Sequence, residues 1–202
     1  MIKVVFFDIG GVLLKFDLAE VARKIAWAVP RHPLKLARFL WSSELGEKVE
    51  RGLLQPKKLF EMFREELDYT GSYQDFSDLW CDHFTLNKES NALLKQVAKY
   101  RPVYLLSNTN HLHYEFIRKN FPFPKHVKGA VLSHKLKLRK PEAAIYEAAL
   151  KRARVAPQEA LFIDDLFVNV EGARKVGMHA IHFKSAEALE RELKALGLLK
   201  PL

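Results

Sequence analysis

An aspartate at the end of an apolar run is the first residue of this chain whose position suits ligand chemistry. Residues 4–7 read Val-Val-Phe-Phe, Asp8 follows, and Gly10 and Gly11 come directly after it. The short run of β-branched and aromatic residues predicts a buried strand. A carboxylate at the carboxyl end of a parallel strand lies where α/β sheets bind ligands, and glycines let the backbone approach closely. Taken alone, the stretch is explained equally well by a simple turn after a strand.

Two adjacent carboxylates, Asp164 and Asp165, follow a second apolar run. Paired carboxylates at the end of a buried strand cost free energy unless a cation or hydrogen-bond donors compensate them. Mg²⁺ prefers carboxylate, water and phosphate oxygens as ligands. The pair therefore predicts a magnesium site, with N-capping of the next helix by Asp165 as the alternative.

Two further stretches carry groups that suit an anion. Ser107 and Asn108 end the apolar run of LLSNTN, and backbone amides at the helix that follows would attract an anion. N-capping by either residue explains that segment as well. Lys140 precedes Pro141, which suits the first turn of a helix, so its ammonium is fixed there as a point charge for phosphate. The neighbouring Arg139 is interpreted as a solvated surface charge.

Alternating helices and strands after residue 87 supply the elements that position these groups. We predict strands at Val103–Leu106, Gly129–Leu132, Leu161–Ile163 and Ala180–His182, with helices between them. Together with the strand at residues 4–7 they form a Rossmann-like, doubly wound parallel sheet of the α/β class.

Residues 17–84 differ, because apolar residues recur there at helical spacing and no strand stands out. We therefore predict an α/β core domain made of residues 1–15 and 87–202, and an inserted α-helical cap subdomain at residues 16–86. Its position after the Asp8 loop would place it over the strand ends as a lid.

The order Asp, Ser, Lys-Pro, Asp-Asp resembles the motif series of the haloacid dehalogenase (HAD)-like hydrolase superfamily. The stretches LLSNT, KPEAAIYEAAL and FIDDLFVNVEGA, followed by GMHAIHF, are similar to the subfamily whose small helical cap is inserted after the first motif. The resemblance covers essentially the whole chain and implies the fold predicted above.

The resemblance also implies roles for single residues. Asp8 would be the nucleophile that forms an aspartyl-phosphate, and Ser107 and Lys140 would hold the phosphoryl group. Implied substrate contacts are Gly11, Ser107, Asn108 and Lys140; implied Mg²⁺ ligands are Asp8, the carbonyl of Gly10 and Asp164, with Asp165 and Asn169 orienting the metal site.

One residue departs from the family pattern. Such phosphatases usually carry a second aspartate two residues after the nucleophile, as acid and base, and here that residue is Gly10. The expected function is Mg²⁺-dependent hydrolysis of small phosphomonoesters. The alternatives are a catalytically weak HAD-like protein that binds a phosphorylated ligand or partner, and a metal-independent 2-haloacid dehalogenase, against which the Asp164–Asp165 pair argues.

Charge and composition indicate which kinds of partner and which location to expect for the protein. The net charge of +9 comes from Lys and Arg residues scattered through the chain, which makes nucleic acid an improbable partner. No apolar run approaches the roughly 20 residues of a membrane span, and Met1 leads into the first strand, so we expect a cytoplasmic protein. The single Cys81, among apolar neighbours, is expected to be a buried structural thiol. Substrate identity and oligomeric state are not predicted.

Overall fold

A computed structural model describes residues 1–29, 32–40, 42–81 and 83–199 of the chain. Its strands are β1 (Val4–Phe7), β2 (Leu14–Phe16), β3 (Phe84–Leu86), β4 (Val103–Ser107), β5 (Gly129–Leu132), β6 (Ala160–Asp164) and β7 (His179–His182). Five of them form a parallel sheet in the order β5-β4-β1-β6-β7. The predicted sheet is confirmed, and β1 lies at its centre.

The register of β1 against its neighbours decides which side chains meet. Phe7 pairs with Leu105 of β4 and with Ile163 of β6. Because the three strands are parallel, their carboxyl ends lie at one edge of the sheet. The residues that follow these pairs along the chain, Asp8 among them, therefore converge at that edge.

Helices cover both faces of the sheet. They are α6 (Lys88–Ala98), α7 (His111–Asn120), α8 (Ser133–Leu136), α9 (Ala143–Ala153), α10 (Phe167–Lys175) and α11 (Ala186–Ala195). Alternate residues of β1 enter separate cores: Val5 and Phe7 belong to one apolar cluster, and Val4 and Phe6 to another. Helix α9 begins at Ala143 with Glu142 as its N-cap, so Pro141 precedes the helix instead of lying in its first turn.

The segment between β2 and β3 is helical, with α1 (Leu18–Ala28), α2 (Pro33–Leu40), α3 (Ser43–Glu50), α4 (Pro56–Leu67) and α5 (Tyr73–Cys81). These helices share an apolar cluster of their own. The expectation that no strand occurs up to Phe84 is wrong at its last residue, because β3 begins there and pairs antiparallel with β2. The division into a core and a cap at residues 15 and 87 stays a prediction.

Two asparagines fasten the helical segment where it rejoins the sheet. The Asn87 side chain donates to Val12 O at 3.0 Å, and the Asn91 side chain donates to Leu13 O at 2.9 Å. Both amides are buried, so these bonds satisfy carbonyls that water does not reach. The chain thus leaves and re-enters the α/β part at adjacent points. No helix among the described residues is long and apolar enough to cross a bilayer.

Candidate active site

A buried lysine bridges two carboxylates at the carboxyl edge of the sheet. The Nζ of Lys140 lies 2.9 Å from Asp8 Oδ1 and 2.6 Å from Asp164 Oδ2, and it donates to Leu106 O at 3.2 Å. Lys140 is 2% exposed, Asp8 7% and Asp164 0%. Three of the residues singled out from the sequence therefore meet, although they lie 24 to 156 positions apart along the chain.

The Asn108 side chain fixes the backbone of Lys140. Its Nδ2 donates to Lys140 O at 3.0 Å, and its Oδ1 accepts from Lys140 N at 2.8 Å. This reciprocal pair holds the end of β4 to the segment before α9, and it aims the lysine at the carboxylates. Ser107, also predicted to bind the phosphoryl group, is buried at the end of β4 and lies beside Asp8.

Asp164 is held by donors on the following turn and helix. Leu166 N donates to Asp164 Oδ1 at 2.8 Å, and the Asn169 amide lies 3.0 and 3.1 Å from the two carboxylate oxygens. Asn169 is in turn fixed by Tyr146, whose hydroxyl donates to the backbone carbonyl of Asn169 at 2.8 Å. The α10 helix thereby orients the carboxylate that Lys140 contacts.

Three carboxylates form one cluster. One oxygen each of Asp8, Asp164 and Asp165 lie within 4.8 Å of one another. Burial raises the pKa of Asp8 to about 7, the Lys140 ammonium opposes that rise, and Asp164 adds to it. Burial also lowers the pKa of Lys140, but its bonds and charge contacts with Asp8 and Asp164 outweigh this and raise it overall. Three carboxylates face one ammonium, so this set of hard oxygen donors fits a divalent cation such as Mg²⁺.

The two glycines after Asp8 serve different purposes. Gly11 has a φ of 71°, and a Cβ there would lie 2.1 Å from a carboxylate oxygen of Asp165, so both conformation and space require glycine. Gly10 does not have a positive φ. A Cβ on it would instead lie 2.4 Å from the ring of Phe16. The Phe16 ring fills the space beside the residue that the family pattern assigns to a second aspartate.

A pocket of about 240 Å³ opens from this edge. Its lining includes seven residues that were predicted from the sequence: Asp8, Gly10, Ser107, Asn108, Lys140, Asp165 and Asn169. Other residues that line it were not predicted: Phe16, Glu50, Phe84, His113, Arg139 and Leu166 among them. Phe16 and Phe84 reach the pocket through the β2–β3 pairing, and Glu50 reaches it through α3. These contacts join residues far apart and leave no local pattern in the sequence.

Helix α3 is anchored to the segment before α9 by ionic contacts. Arg51 donates to Glu142 through both terminal nitrogens, and Arg139 Nη2 lies 2.8 Å from Glu50 Oε2. Ser133 Oγ donates to Glu50 O at 2.6 Å. The interpretation of Arg139 as a solvated surface charge is wrong, because its guanidinium is engaged by α3 and is only 32% exposed.

Cys81 lies away from this pocket. Its side chain is 1% exposed, and burial raises the pKa of the thiol to about 12. A thiol that does not ionise near neutral pH is a poor nucleophile and metal ligand. These properties agree with the expected structural role.

The comparisons agree with this fold. A family model described as haloacid dehalogenase-like hydrolase matches residues 2–177, and the chain therefore belongs to that family of hydrolases. It is 25% identical to the D-ribitol-5-phosphate phosphatase of Bacteroides thetaiotaomicron over 97% of this chain and 98% of that protein. It is 26% identical to a sesquiterpene phosphatase of Aspergillus oryzae, over 96% of each.

A solved structure adds a ligand-bound neighbour. A HAD family enzyme of Bacteroides thetaiotaomicron, in complex with magnesium and inorganic phosphate, is similar with a TM-score of 0.81 and 26% identity. The match covers 91% of this chain and 95% of that one.

Proposed function

We propose that this protein is a Mg²⁺-dependent phosphatase that hydrolyses small phosphomonoesters through an aspartyl-phosphate on Asp8. The observation that carries the proposal is the Lys140 ammonium held between Asp8 and Asp164, with Asp165 completing a cluster of three carboxylates. The groups that we propose as nucleophile, as cation for the phosphoryl oxygens and as metal ligands thus lie at one edge of the sheet. The phosphatase relatives and the neighbour bound to magnesium and phosphate support the same reaction.

Residues of the chain divide the work as follows. A carboxylate oxygen of Asp8 attacks phosphorus, the Asp8 O–P bond forms, and the ester P–O bond breaks with its electrons on the leaving oxygen. Lys140 and the Ser107 hydroxyl stabilise the charge of the phosphoryl oxygens. Water then attacks phosphorus, the Asp8 O–P bond breaks, and phosphate is released with Asp8 restored.

The carboxylates would also hold the metal. Asp8, Asp164 and the Gly10 carbonyl are the proposed ligands, with Asp165 and Asn169 keeping the acidic cluster in place. Bound there, Mg²⁺ would offset the negative charge of the phosphoryl group. Gly11 and Asn108 are proposed to contact the substrate, Asn108 through its backbone, since its side chain is taken up by Lys140.

We also propose that residues 16–86 act as a cap. Helix α3 supplies Glu50 to the pocket, and Phe16 and Phe84, at the two ends of the segment, line it as well. The segment would therefore contact the leaving group, while the α/β part holds the phosphoryl group.

The test is hydrolysis of p-nitrophenyl phosphate with Mg²⁺ and with EDTA. We expect turnover only with the metal, and we expect trapping of a phosphorylated protein that Asp8→Asn does not give. Turnover that persists in EDTA or in folded Asp8→Asn protein contradicts the proposal.

A second candidate is a phosphate-ester binding protein with little turnover. The observation that favours it is Phe16 beside Gly10, which leaves no carboxylate where the family pattern has one. Tight binding of a phosphonate without hydrolysis of any phosphomonoester would select this candidate. The 2-haloacid dehalogenase is disfavoured, because its chemistry needs no cluster of three carboxylates.

A further inference from the structure

Two of the side chains that line the pocket are apolar and well exposed. Phe16 is 45% exposed and Leu166 is 54% exposed, although both line the pocket. The ring centroids of Phe16 and Phe84 lie 5.2 Å apart with the ring planes tilted by 60°, so the two side chains form adjoining aromatic surfaces. When a ligand covers exposed apolar surface in a concave site, the removal of that surface from water makes binding more favourable.

Two charged side chains that line the pocket, Arg139 and Glu50, are ion-paired with each other at 2.8 Å. Arg139 also lies 3.9 Å from Glu47. A leaving group rich in hydroxyls would have to compete with these glutamates for the terminal nitrogens of Arg139. A flat apolar group would leave these ion pairs intact and would cover Phe16.

Gly10, Glu50 and His113, which line the same pocket, are poor sources of a proton for the leaving group. A positioned general acid is worth about 10²–10⁴ in rate, chiefly for leaving groups of high pKa. Residue 10 has no side chain, and Phe16 fills the space beside it. Glu50 is ion-paired with Arg139. Burial lowers the pKa of His113 to about 3, and its Nε2 is already 3.1 Å from Trp80 O.

We propose that the natural substrate is a small aryl phosphomonoester whose ring lies against Phe16 and Phe84 while its phosphoryl group lies at Asp8 and Lys140. This inference rests on the proposed phosphatase function and names its substrate class. When the P–O bond breaks, the phenolate leaves with the electron pair and needs no proton from the protein, because phenols ionise near pH 10. The pocket, at about 240 Å³, is smaller than the roughly 300–1,000 Å³ typical of drug-sized ligands, which suits one ring.

Three phosphate esters test two requirements separately: an aromatic ring for binding, and a proton for the leaving group. With Mg²⁺, phenyl phosphate should be hydrolysed about 100-fold faster than benzyl phosphate, whose leaving alkoxide needs a proton. The two should have similar KM values, because both carry a ring. Ribitol 5-phosphate should show a KM about tenfold higher than either.

Binding of phosphonates tests the ring site without turnover. With Mg²⁺, phenylphosphonate should bind about tenfold more tightly than methylphosphonate in calorimetry. Phe16→Leu keeps an apolar side chain in β2 but loses the flat face, so this preference should vanish. Trp27→Ala, which removes an aromatic side chain that is 85% exposed on α1, should keep it.

The outcomes distinguish the two proposals. Hydrolysis of ribitol 5-phosphate with a kcat/KM equal to that of phenyl phosphate overturns the aryl substrate and leaves the phosphatase intact. If no ester is hydrolysed, the phosphatase proposal fails, and equal binding of the two phosphonates would overturn the ring site as well. A preference for phenylphosphonate that Phe16→Leu removes supports the ring site in either case.

Discussion

The burial of Asp8 disfavours the ionised form of its carboxyl group, and this should have a measurable effect on the stability of the fold. Burial raises its pKa from 3.8 to about 7, despite the Lys140 ammonium at 2.9 Å. Between these two values the folded state binds the proton more tightly than the unfolded state. Stability of the metal-free protein should therefore fall as pH rises from about 4 to 7 through this group.

Asp8→Asn should remove that part of the pH dependence as well as turnover. We expect the variant to gain free energy of unfolding relative to wild type as pH rises from 5 to 8, because the amide carries no charge to desolvate. Urea unfolding in EDTA at both pH values measures this. Parallel pH profiles for the two proteins would show that the Asp8 carboxylate is not strained by burial.

Gly10 and Phe16 should behave as a unit. Gly10→Asp alone has no conformational obstacle from φ, but its Cβ would overlap the Phe16 ring, so we expect little gain in rate. Gly10→Asp combined with Phe16→Ala should make room for a general acid and raise the rate for poor leaving groups, by up to about 10²-fold.

The measurement is the slope of log rate against leaving-group pKa. It should be steep in wild type and in Phe16→Ala alone, and shallower in the double variant. A shallow slope already in wild type would mean that another proton donor serves the reaction.

Helices and strands could be predicted where the sequence pattern that marks them is local, and they were missed where they depend on residues far apart in the chain. Strand β5 has the predicted bounds, because its apolar run and the residues that flank it are local signals. The pairing of β2 with β3 was missed, since each strand has only three residues and the partners lie about 70 positions apart. Phe16 and Glu50 went unpredicted as pocket residues for the same reason, whereas Asp8 and Asp164 were found because each ends a visible strand.

The contact between α3 and the segment before α9 should hold Glu50 in the pocket. A double-mutant cycle on Arg51→Ala and Glu142→Ala should give a coupling of about 1 kcal/mol or less, because the bidentate pair is partly exposed to solvent. KM for phosphomonoesters should rise in either single variant.

Glu44 and Lys48 provide the matched control. They form an ion pair within α3 that is exposed on both sides and does not reach α9. Disrupting it should leave KM unchanged. A KM that responds equally to both pairs would show that α3 helicity, not its attachment, governs the site.

For the whole molecule, metal binding should raise the free energy of unfolding. At a Mg²⁺ concentration 100 times Kd, linkage adds about 2.7 kcal/mol, which raises Tm by roughly 5–10 °C in a domain of this size. Asp164→Asn removes the charge of a proposed ligand and should abolish most of that rise. Asp78→Asn, an exposed change on α5, should retain it. An equal rise in Tm for Asp164→Asn and wild type would place the metal elsewhere.

The pairing of β2 with β3 has a consequence for how this protein could diversify. The chain departs at Phe16 and returns at Phe84, and these residues are direct partners across an antiparallel ladder, a separation of about 5 Å. A tight hairpin of a few residues would span that gap as well as the five helices do. Insertions, deletions or replacements in the intervening sequence could therefore occur during evolution without disturbing the strands that end at Asp8 and Asp164. If that sequence is the cap that we propose, such changes would alter substrate choice and leave the proposed catalytic residues in place.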